Sequence, residues 1–153
     1  MLQTCVICPI LETRCFVEST TLKQKYPINV PNPKQFFNCQ TRNVIYSIII
    51  CKTPGCGSQY VGYTTRQFMF RVVEHLSNHT SPMVKHCNET KHNPKQIIFQ
   101  ILTQAPDNET EKELWLKRNE YYWICKLGTL NKLSSKGLNK MPYDPVFHTN
   151  PKH

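Results

Sequence analysis

The clearest strand pattern lies in the middle of the chain, where short apolar runs are separated by turn residues. Residues 43–51 are mostly β-branched or apolar, which predicts a buried strand. Pro54 and Gly55 form a turn pair, after which residues 57–63 are expected to return as an antiparallel partner. A further strand is predicted over residues 96–103.

Two helices are predicted between these strands. Thr64 or Thr65 is expected to cap the first helix, which runs to about residue 78. Ser81, followed by a proline, is typical of the start of a second helix that ends near residue 91. Apolar residues at helical spacing in the first helix are Phe68, Met69, Val72, Val73 and Leu76.

The last predicted helix begins after a cap at Asp107 or Asn108 and ends near residue 127. Acidic residues in its first turns suit the positive end of the helix dipole. Its buried face is expected to contain Leu114, Tyr121, Ile124, Cys125 and Leu127. The elements therefore follow in the order β-β-α-α-β-α, which predicts a small α+β domain.

The segments on either side of this domain differ from it in composition. The domain itself is predicted over residues 43–140. Residues 1–42 show weak periodicity and several prolines, so we expect an extension of loops and short strands. Residues 141–153 contain prolines and few apolar residues, which predicts an irregular tail.

The charge of the chain indicates a polyanionic partner. Lys and Arg total 19 against 10 Asp and Glu, a formal net charge of +9. Because each neutralised phosphate releases counterions, DNA or another nucleic acid is the expected partner, with ordinary solubilising charge as the alternative. Since no apolar run reaches the roughly 18 residues needed to cross a bilayer, no membrane partner is expected.

The chain contains 8 cysteines, which suit either an oxidising compartment or a metal site. The N-terminus lacks the basic start of a signal peptide, so we expect a nuclear or otherwise intracellular protein that is not secreted. Paired cysteines would then serve as metal ligands. The opposing interpretation is a secreted disulfide protein with glycans at Asn78, Asn88 or Asn108.

Several polar side chains have the chemistry that phosphodiester cleavage needs. Tyr46 and Tyr60 flank the predicted hairpin, and a tyrosine can take a proton from water. Arg71 and His75 share one helix face, and a guanidinium suits the charge of a pentacovalent phosphate. Glu120, on the last helix, can bind a cation. Taken singly, such residues are more often core aromatics or solvated surface groups.

The order of these residues resembles the GIY-YIG nuclease superfamily over residues 43–140. The matching strings are Val44-Ile45-Tyr46, Tyr60-Val61-Gly62-Tyr63-Thr64, Arg71-Val72-Val73-Glu74-His75, Glu120-Tyr121-Tyr122-Trp123-Ile124 and Gly137-Leu138-Asn139. The resemblance implies a three-stranded antiparallel sheet flanked by helices. It also implies a metal-dependent endonuclease that nicks DNA by phosphodiester hydrolysis.

Individual roles follow from the same resemblance. One of Tyr46 and Tyr60 would be the general base or would position the water. Arg71 would stabilise the transition state with assistance from His75. Glu120 would hold one divalent cation, magnesium or manganese.

Two further residues of the chain resemble the superfamily, and two others differ from it. Asn139 would orient the site, and Gly62 would permit a close backbone approach in the turn before the helix. Val44 and Val61 stand where the family has glycine and isoleucine. Neither position is expected to take part in the chemistry, so the resemblance favours an active enzyme.

A structural zinc site is predicted from Cys51, Cys56, His86 and His92. Two cysteines around a Pro-Gly turn and two histidines make a suitable four-ligand set. Free thiols with surface histidines would give the same pattern, and Cys87 is a possible replacement for one histidine. GIY-YIG domains of Penelope-like retroelements are similar, since they have two cysteines between the motifs and a following histidine pair.

The resemblance to Penelope-like retroelements extends to residues 38–46. It implies an origin in such an element, with a reverse transcriptase as a partner in the parent element. A second zinc site is predicted from Cys5, Cys8, Cys15 and Cys39, because Cys5 and Cys8 have the spacing of a common ligand pair. The alternative function is a zinc-stabilised nucleic-acid-binding module that does not cut.

Overall fold

A computed structural model describes residues 7–28, 37–49, 56–92, 97–131 and 137–140. The predictions for Cys5, for Cys51 and for the tail over residues 141–153 lie outside the described residues. The first elements are a 3-10 turn at Cys8–Ile10 and the strands β1 (Leu11–Glu12), β2 (Phe16–Glu18) and β3 (Lys25–Pro27). They are followed by β4 (Val44–Ile49), β5 (Gln59–Thr64), α1 (Phe68–Ser77), α2 (Pro82–Thr90), β6 (Ile98–Gln104) and α3 (Lys112–Leu127).

The main sheet is mixed and, within the described residues, has four strands in the order β1-β6-β4-β5. β4 pairs antiparallel with both β5 and β6, whereas β1 pairs parallel with β6. The predicted α+β class is confirmed. The predicted three-stranded antiparallel sheet is wrong, because β1 adds a parallel strand from the N-terminal segment. A strand as short as Leu11–Glu12 has too little periodicity to be detected in the sequence.

Helices cover both faces of the sheet, and β5 is one of the two edge strands of its described part. Successive side chains of a strand point to opposite faces, so β4 supplies Tyr46 to one core and Ile45 to the other. α1 and α2 pack on the Tyr46 face and α3 packs on the Ile45 face. None of the described helices combines the length and apolarity needed to cross a membrane.

The described part of residues 1–42 belongs to the same packing unit as the rest of the fold. Val17 and Ile28 are buried in the core beneath α3. Ile7 and Cys39 are buried in the core beneath α1 and α2. These residues of the N-terminal segment therefore pack in the same two cores as residues that follow position 42.

The start of α1 shows why the predicted threonine caps are wrong. Its N-cap is Gln67, which makes no side-chain capping bond. Instead, the backbone N–H groups of Phe68 and Met69 donate to the carbonyls of Thr41 at 2.9 Å and Cys39 at 2.7 Å. The segment before β4 thus satisfies the amides that a cap would otherwise bind.

The caps predicted for the other two helices are confirmed in α2 and wrong in α3. The Ser81 hydroxyl accepts the backbone N–H of Val84 at 3.3 Å, so the predicted cap of α2 is confirmed. The caps predicted for α3 at Asp107 and Asn108 are wrong, because this helix begins at Lys112 after an N-cap at Glu111.

Candidate active site and metal centre

Side chains from two helices on opposite faces of the sheet reach a shared cavity at the edge strand β5. Arg71 from α1 and Glu120 from α3 reach one cavity of about 310 Å³. Its other described lining residues are Tyr60, Tyr63, Thr64, Thr65 and Arg66. The structure therefore gathers Tyr60, Arg71 and Glu120 around a shared opening.

Tyr46 is fully buried and is not among the described residues that line this cavity, but it contacts Arg71, which does line it. Its hydroxyl accepts the Nε–H of Arg71 at 2.9 Å and lies 2.7 Å from Nε2 of His75. Burial raises the pKa of Tyr46 far above its usual range, and the charge of Tyr60 adds to that rise. In the protein alone, Tyr46 is therefore a protonated phenol that holds Arg71 and His75 in place.

His75 occupies an inward position of α1 and is 4% exposed. Burial, followed by the positive charge of Arg71, lowers the pKa of His75 to about 4. His75 is therefore neutral near pH 7, and its Nε2 can accept the hydroxyl proton of Tyr46. Leu76, which the apolar pattern placed inside, is 43% exposed instead.

Gly62 makes room for the ring of Tyr46. The two residues are register partners on β5 and β4. A Cβ atom on Gly62 would lie 2.5 Å from the Tyr46 hydroxyl oxygen and 2.6 Å from its Cζ atom. The expected close approach is present, but Gly62 lies within β5 and not in the turn before the helix. The group that approaches it is the side chain of Tyr46 on the neighbouring strand.

Tyr60 lies between two cavities and is only partly buried. Besides the cavity described above, it lines a second one of about 480 Å³ together with Arg71, Glu74, His75 and residues of the loop into α2. Burial raises the pKa of Tyr60, the nearby Glu120 raises it further, and the positive charge of Arg71 lowers it. Of the two tyrosines, Tyr60 is the one that a ligand in either cavity can touch.

Glu120 interrupts the inward apolar face of α3. Leu116 and Trp123 are buried at neighbouring inward positions of the helix, so the Glu120 carboxyl is also directed towards the sheet edge. Burial raises the pKa of Glu120 to about 7, although Arg71 and Lys117 act to lower it. The buried face predicted for α3 is wrong in two positions. Leu116, which was not predicted to be buried, is buried, and Cys125, which was predicted to be buried, is exposed.

Asn139 lies behind β5 and not among the described residues that line the two cavities. Its buried side chain bonds the backbone of Val61 through both of its polar atoms. Val61 separates Tyr60 from Gly62 in the strand. Asn139 is therefore placed to hold β5 in position and not to touch a substrate.

A candidate metal centre is formed by residues from α2 and from the segments before β5 and after α2. The possible ligand atoms of Cys56, His86 and His92 all lie within 4.8 Å of one another. The sulfur of Cys56 is 3.3 Å from Nε2 of His86. Ligand bonds of roughly 2.0–2.3 Å around tetrahedral zinc place ligand atoms about 3.5 Å apart, so this spacing fits. One thiolate and two imidazoles are also a donor set that zinc accepts.

Local structure explains how these three ligands converge. Cys56 comes just before β5, and His86 is on α2. α2 ends at Lys91, whose left-handed backbone turns the chain so that His92 lies beside His86. Burial lowers the pKa of His86, which favours the neutral form that binds metals. Cys87 is buried in the core instead and is not part of this group.

The predicted N-terminal zinc site is described only in part, because Cys5 lies outside the described residues. Cys8 and Cys15 are exposed, whereas Cys39 is buried. Across the described ranges, no group of converging metal ligands includes any of these three residues. The second zinc site predicted with Cys5 therefore has no support from the described part of the chain.

Two further charged residues of the site, Arg66 and Glu74, have no role predicted from the sequence. Arg66 lines the smaller cavity and Glu74 lines the larger one. Glu74 forms ion pairs with both Arg66 and Arg71. The spacing of Arg71 and Glu74, three residues apart on one helix, was the signal that could have identified this network.

Comparisons with protein-family models, with curated proteins and with solved structures found no match to this chain. The case for a function therefore depends on the geometry of the site and on the sequence motifs.

Proposed function

We propose that the protein is a metal-dependent DNA endonuclease of the GIY-YIG type, which nicks DNA by phosphodiester hydrolysis. The observation that supports this most strongly is the convergence of Tyr60, Arg71 and Glu120 on one cavity at the edge of β5. The net charge of +9 favours a polyanionic substrate.

Each residue of the site can perform a defined task in this reaction. Arg71 is held by the hydroxyl of Tyr46 and the carboxylate of Glu74, so its guanidinium is already oriented towards the charge that develops on the phosphate. Tyr60 is accessible and is the candidate for activating the attacking water, but it can accept a proton only as the phenolate. Its own phenolic proton would first pass to solvent, and the positive charge of Arg71 together with a cation held by Glu120 would favour that loss. Tyr46 and His75 act through Arg71 and are positioning residues.

Glu120 would hold one divalent cation, magnesium or manganese, in the smaller cavity. When bound there, such a cation polarises the scissile phosphate and lowers the pKa of neighbouring groups. The position of Glu120 fits this task, because it is the one acidic residue among the described residues that line the smaller cavity, which it shares with Arg71.

The second metal is proposed to be a structural zinc ion held by Cys56, His86 and His92, with Cys51 as the fourth ligand. It would tie the start of β5 to α2. Since Tyr60 follows Cys56 closely and Ser81 at the start of α2 donates to the carbonyl of His75 at 2.9 Å, zinc would stabilise the frame of the active site.

Plasmid nicking tests the proposal. Purified protein is incubated with supercoiled plasmid with and without added magnesium. The control omits magnesium and contains no chelator, because a chelator would also remove zinc. Open-circle product should require magnesium and should be lost in Glu120→Gln and Arg71→Ala. Glu111→Gln, which neutralises an exposed glutamate at the start of the same helix, should cut normally. Equal nicking by Glu120→Gln and the wild type would refute the proposed site.

The metal centre also favours a second candidate function, a zinc-stabilised module that binds nucleic acid without cutting it. That function predicts DNA binding which weakens with salt and survives Glu120→Gln, with no open-circle product from any variant. The origin in a Penelope-like element, the reverse transcriptase partner and the nuclear or intracellular location remain proposals that follow from the motif resemblance.

A further inference from the structure

Arg66, Glu74 and Arg71 form a three-membered ion network at the mouth of the candidate active site. One carboxylate oxygen of Glu74 accepts from Nη2 of Arg66. The other oxygen accepts from Nη1 of Arg71 at 3.0 Å. A single carboxylate therefore holds two guanidinium groups side by side, and both of these groups line the cavity that contains Glu120.

The contribution of this network to folding does not explain its presence. The side chains of Arg66 and Glu74 are 51% and 41% exposed, and exposed ion pairs contribute little to stability. A planar guanidinium is instead well suited to bind phosphate oxygens, because it presents several N–H donors in one plane. Glu74 occupies one nitrogen of each guanidinium, and the Tyr46 hydroxyl also accepts the Nε–H of Arg71. Nη2 of Arg71 and the Nε and Nη1 groups of Arg66 take no part in these bonds and suit a ligand.

The backbone gives both ends of the network fixed positions. Arg66 lies in the turn between β5 and α1, where its N–H donates to the hydroxyl of Thr64 at 3.2 Å. Glu74 and Arg71 are one turn apart on α1. The separation of the two guanidinium groups is therefore set by the fold and by the width of one carboxylate.

We propose that Arg66 binds the DNA phosphate next to the scissile one, and that Glu74 positions Arg66 and Arg71 as a pair. The inference rests on the proposed endonuclease function, in which Arg71 contacts the scissile phosphate. Phosphates follow one another along a strand, so two cations held side by side match two successive phosphates. Glu74 acts through the arginines and is a positioning residue, whereas Arg66 is a binding residue.

A second possible role for Glu74 predicts the opposite effect of its removal. The direction in which cleavage changes therefore distinguishes the two roles. A carboxylate that merely competed with phosphate would weaken DNA binding, so its removal would improve both binding and cleavage. A positioning carboxylate predicts slower cleavage on removal, because Arg71 loses one of the groups that orient it.

DNA binding at several salt concentrations, without magnesium, tests Arg66. Each phosphate contact contributes about 0.9 to the slope of log affinity against log salt. Arg66→Gln should lower the slope by about that amount. The matched control is Arg14→Gln, since Arg14 is also ion-paired to a glutamate and is 52% exposed but lies outside the cavity. Equal slopes for Arg66→Gln and the wild type, or equal losses in both variants, would overturn the contact.

Single-turnover cleavage at saturating DNA tests Glu74. Glu74→Gln should reduce the rate about tenfold without weakening DNA binding, because a negative charge has been removed while Arg71 has lost its orientation. Glu89→Gln is the control, since Glu89 forms an exposed ion pair with Lys85 away from both cavities. An unchanged or faster rate in Glu74→Gln, with an unchanged melting temperature, would overturn the positioning role.

The two sets of measurements separate this inference from the proposed function. If the wild type binds DNA but never cuts it, the endonuclease proposal fails while the salt slope still decides the contact of Arg66. Glu74 is then tested by a double-variant cycle, in which Arg66→Gln should cost less affinity when Glu74 is already glutamine. If the wild type cuts and these variants match their controls, the function stands and the inference fails.

Discussion

The side-chain amide of Asn139 binds both backbone polar groups of Val61. Its oxygen accepts the Val61 N–H at 2.8 Å, and its nitrogen donates to the Val61 carbonyl at 2.8 Å. The hydroxyl of Thr129 donates to the same oxygen at 2.7 Å. Asn139 therefore replaces a neighbouring strand at the outer edge of β5, beside the residues that form the candidate site.

Replacement of Asn139 should therefore destabilise the protein. Asn139→Ala leaves the buried N–H and carbonyl of Val61 without these partners, so the free energy of unfolding should fall by about 2–4 kcal/mol. Urea denaturation followed by circular dichroism measures this change. Asn131→Ala, at an exposed position, should change stability by less than about 0.5 kcal/mol. Similar values for both variants would show that the amide of Asn139 does not hold β5.

The contact between Gly62 and Tyr46 predicts that any side chain at position 62 disturbs the site. Gly62→Ala should lower stability by about 1–3 kcal/mol and reduce cleavage, because the new Cβ would displace the ring that holds Arg71. Tyr46→Val removes that ring. Gly62→Ala should therefore cost little further stability in the Tyr46→Val background, as measured by a double-variant cycle. Equal costs in both backgrounds would exclude the clash as the cause.

The raised pKa of Glu120 predicts a specific dependence of stability on pH. The folded protein keeps the carboxyl proton up to a pKa of about 7, whereas the unfolded chain loses it near 4.5. Stability from the protonated form is therefore complete below about pH 4.5 and is lost as pH rises through 7. Glu120→Gln should melt like the wild type at about pH 4.5 and at a higher temperature than the wild type at about pH 8.

Only the difference between this variant and the wild type isolates Glu120. His75, whose pKa is lowered to about 4, acts in the opposite direction, because its stabilising neutral form is lost as pH falls. Melting without magnesium gives the comparison, and addition of magnesium should raise the melting temperature of the wild type at pH 8 but not that of Glu120→Gln. A constant difference between the two proteins from pH 4.5 to pH 8 would contradict the shift.

Removal of zinc should loosen the structure around β5 and α2. Protein purified without chelator should contain tightly held zinc by elemental analysis, and Cys56→Ser or His86→Ala should lose it. The same variants should melt at a lower temperature than Cys125→Ser, which changes an exposed cysteine outside the metal centre. Equal zinc content in Cys56→Ser and Cys125→Ser would rule out the proposed ligands.

The main strands and the order of helices could be predicted from the sequence because their apolar spacing is regular. β4, β5 and β6 lie within a few residues of their predicted bounds. β1 could not be predicted, since it is short and its pairing with β6 joins residues that are distant in sequence. Helix starts were also mispredicted where tertiary contacts replaced local caps, as at Phe68.

The motif order selected residues that the structure brings together, but their individual positions required coordinates. Hydrophobic periodicity alone placed Leu76 inside and gave no reason to turn His75 or Glu120 inward. Both polar residues take inward positions because each has a partner or a cavity at the edge of the sheet. Such polar residues interrupt the apolar face of a helix. A prediction based on hydrophobicity alone therefore assigns the buried face to neighbouring apolar positions instead.

Arg71 and Glu120 are attached to helices that lie on opposite sides of one sheet. The distance between these two charges therefore depends on how closely each helix packs against its face of the sheet. A slight change of volume at Val72 or Leu116, both fully buried, would alter that distance without altering either charged group. The sheet separates the two helices, so the spacing of the two charges depends on packing within the hydrophobic interior.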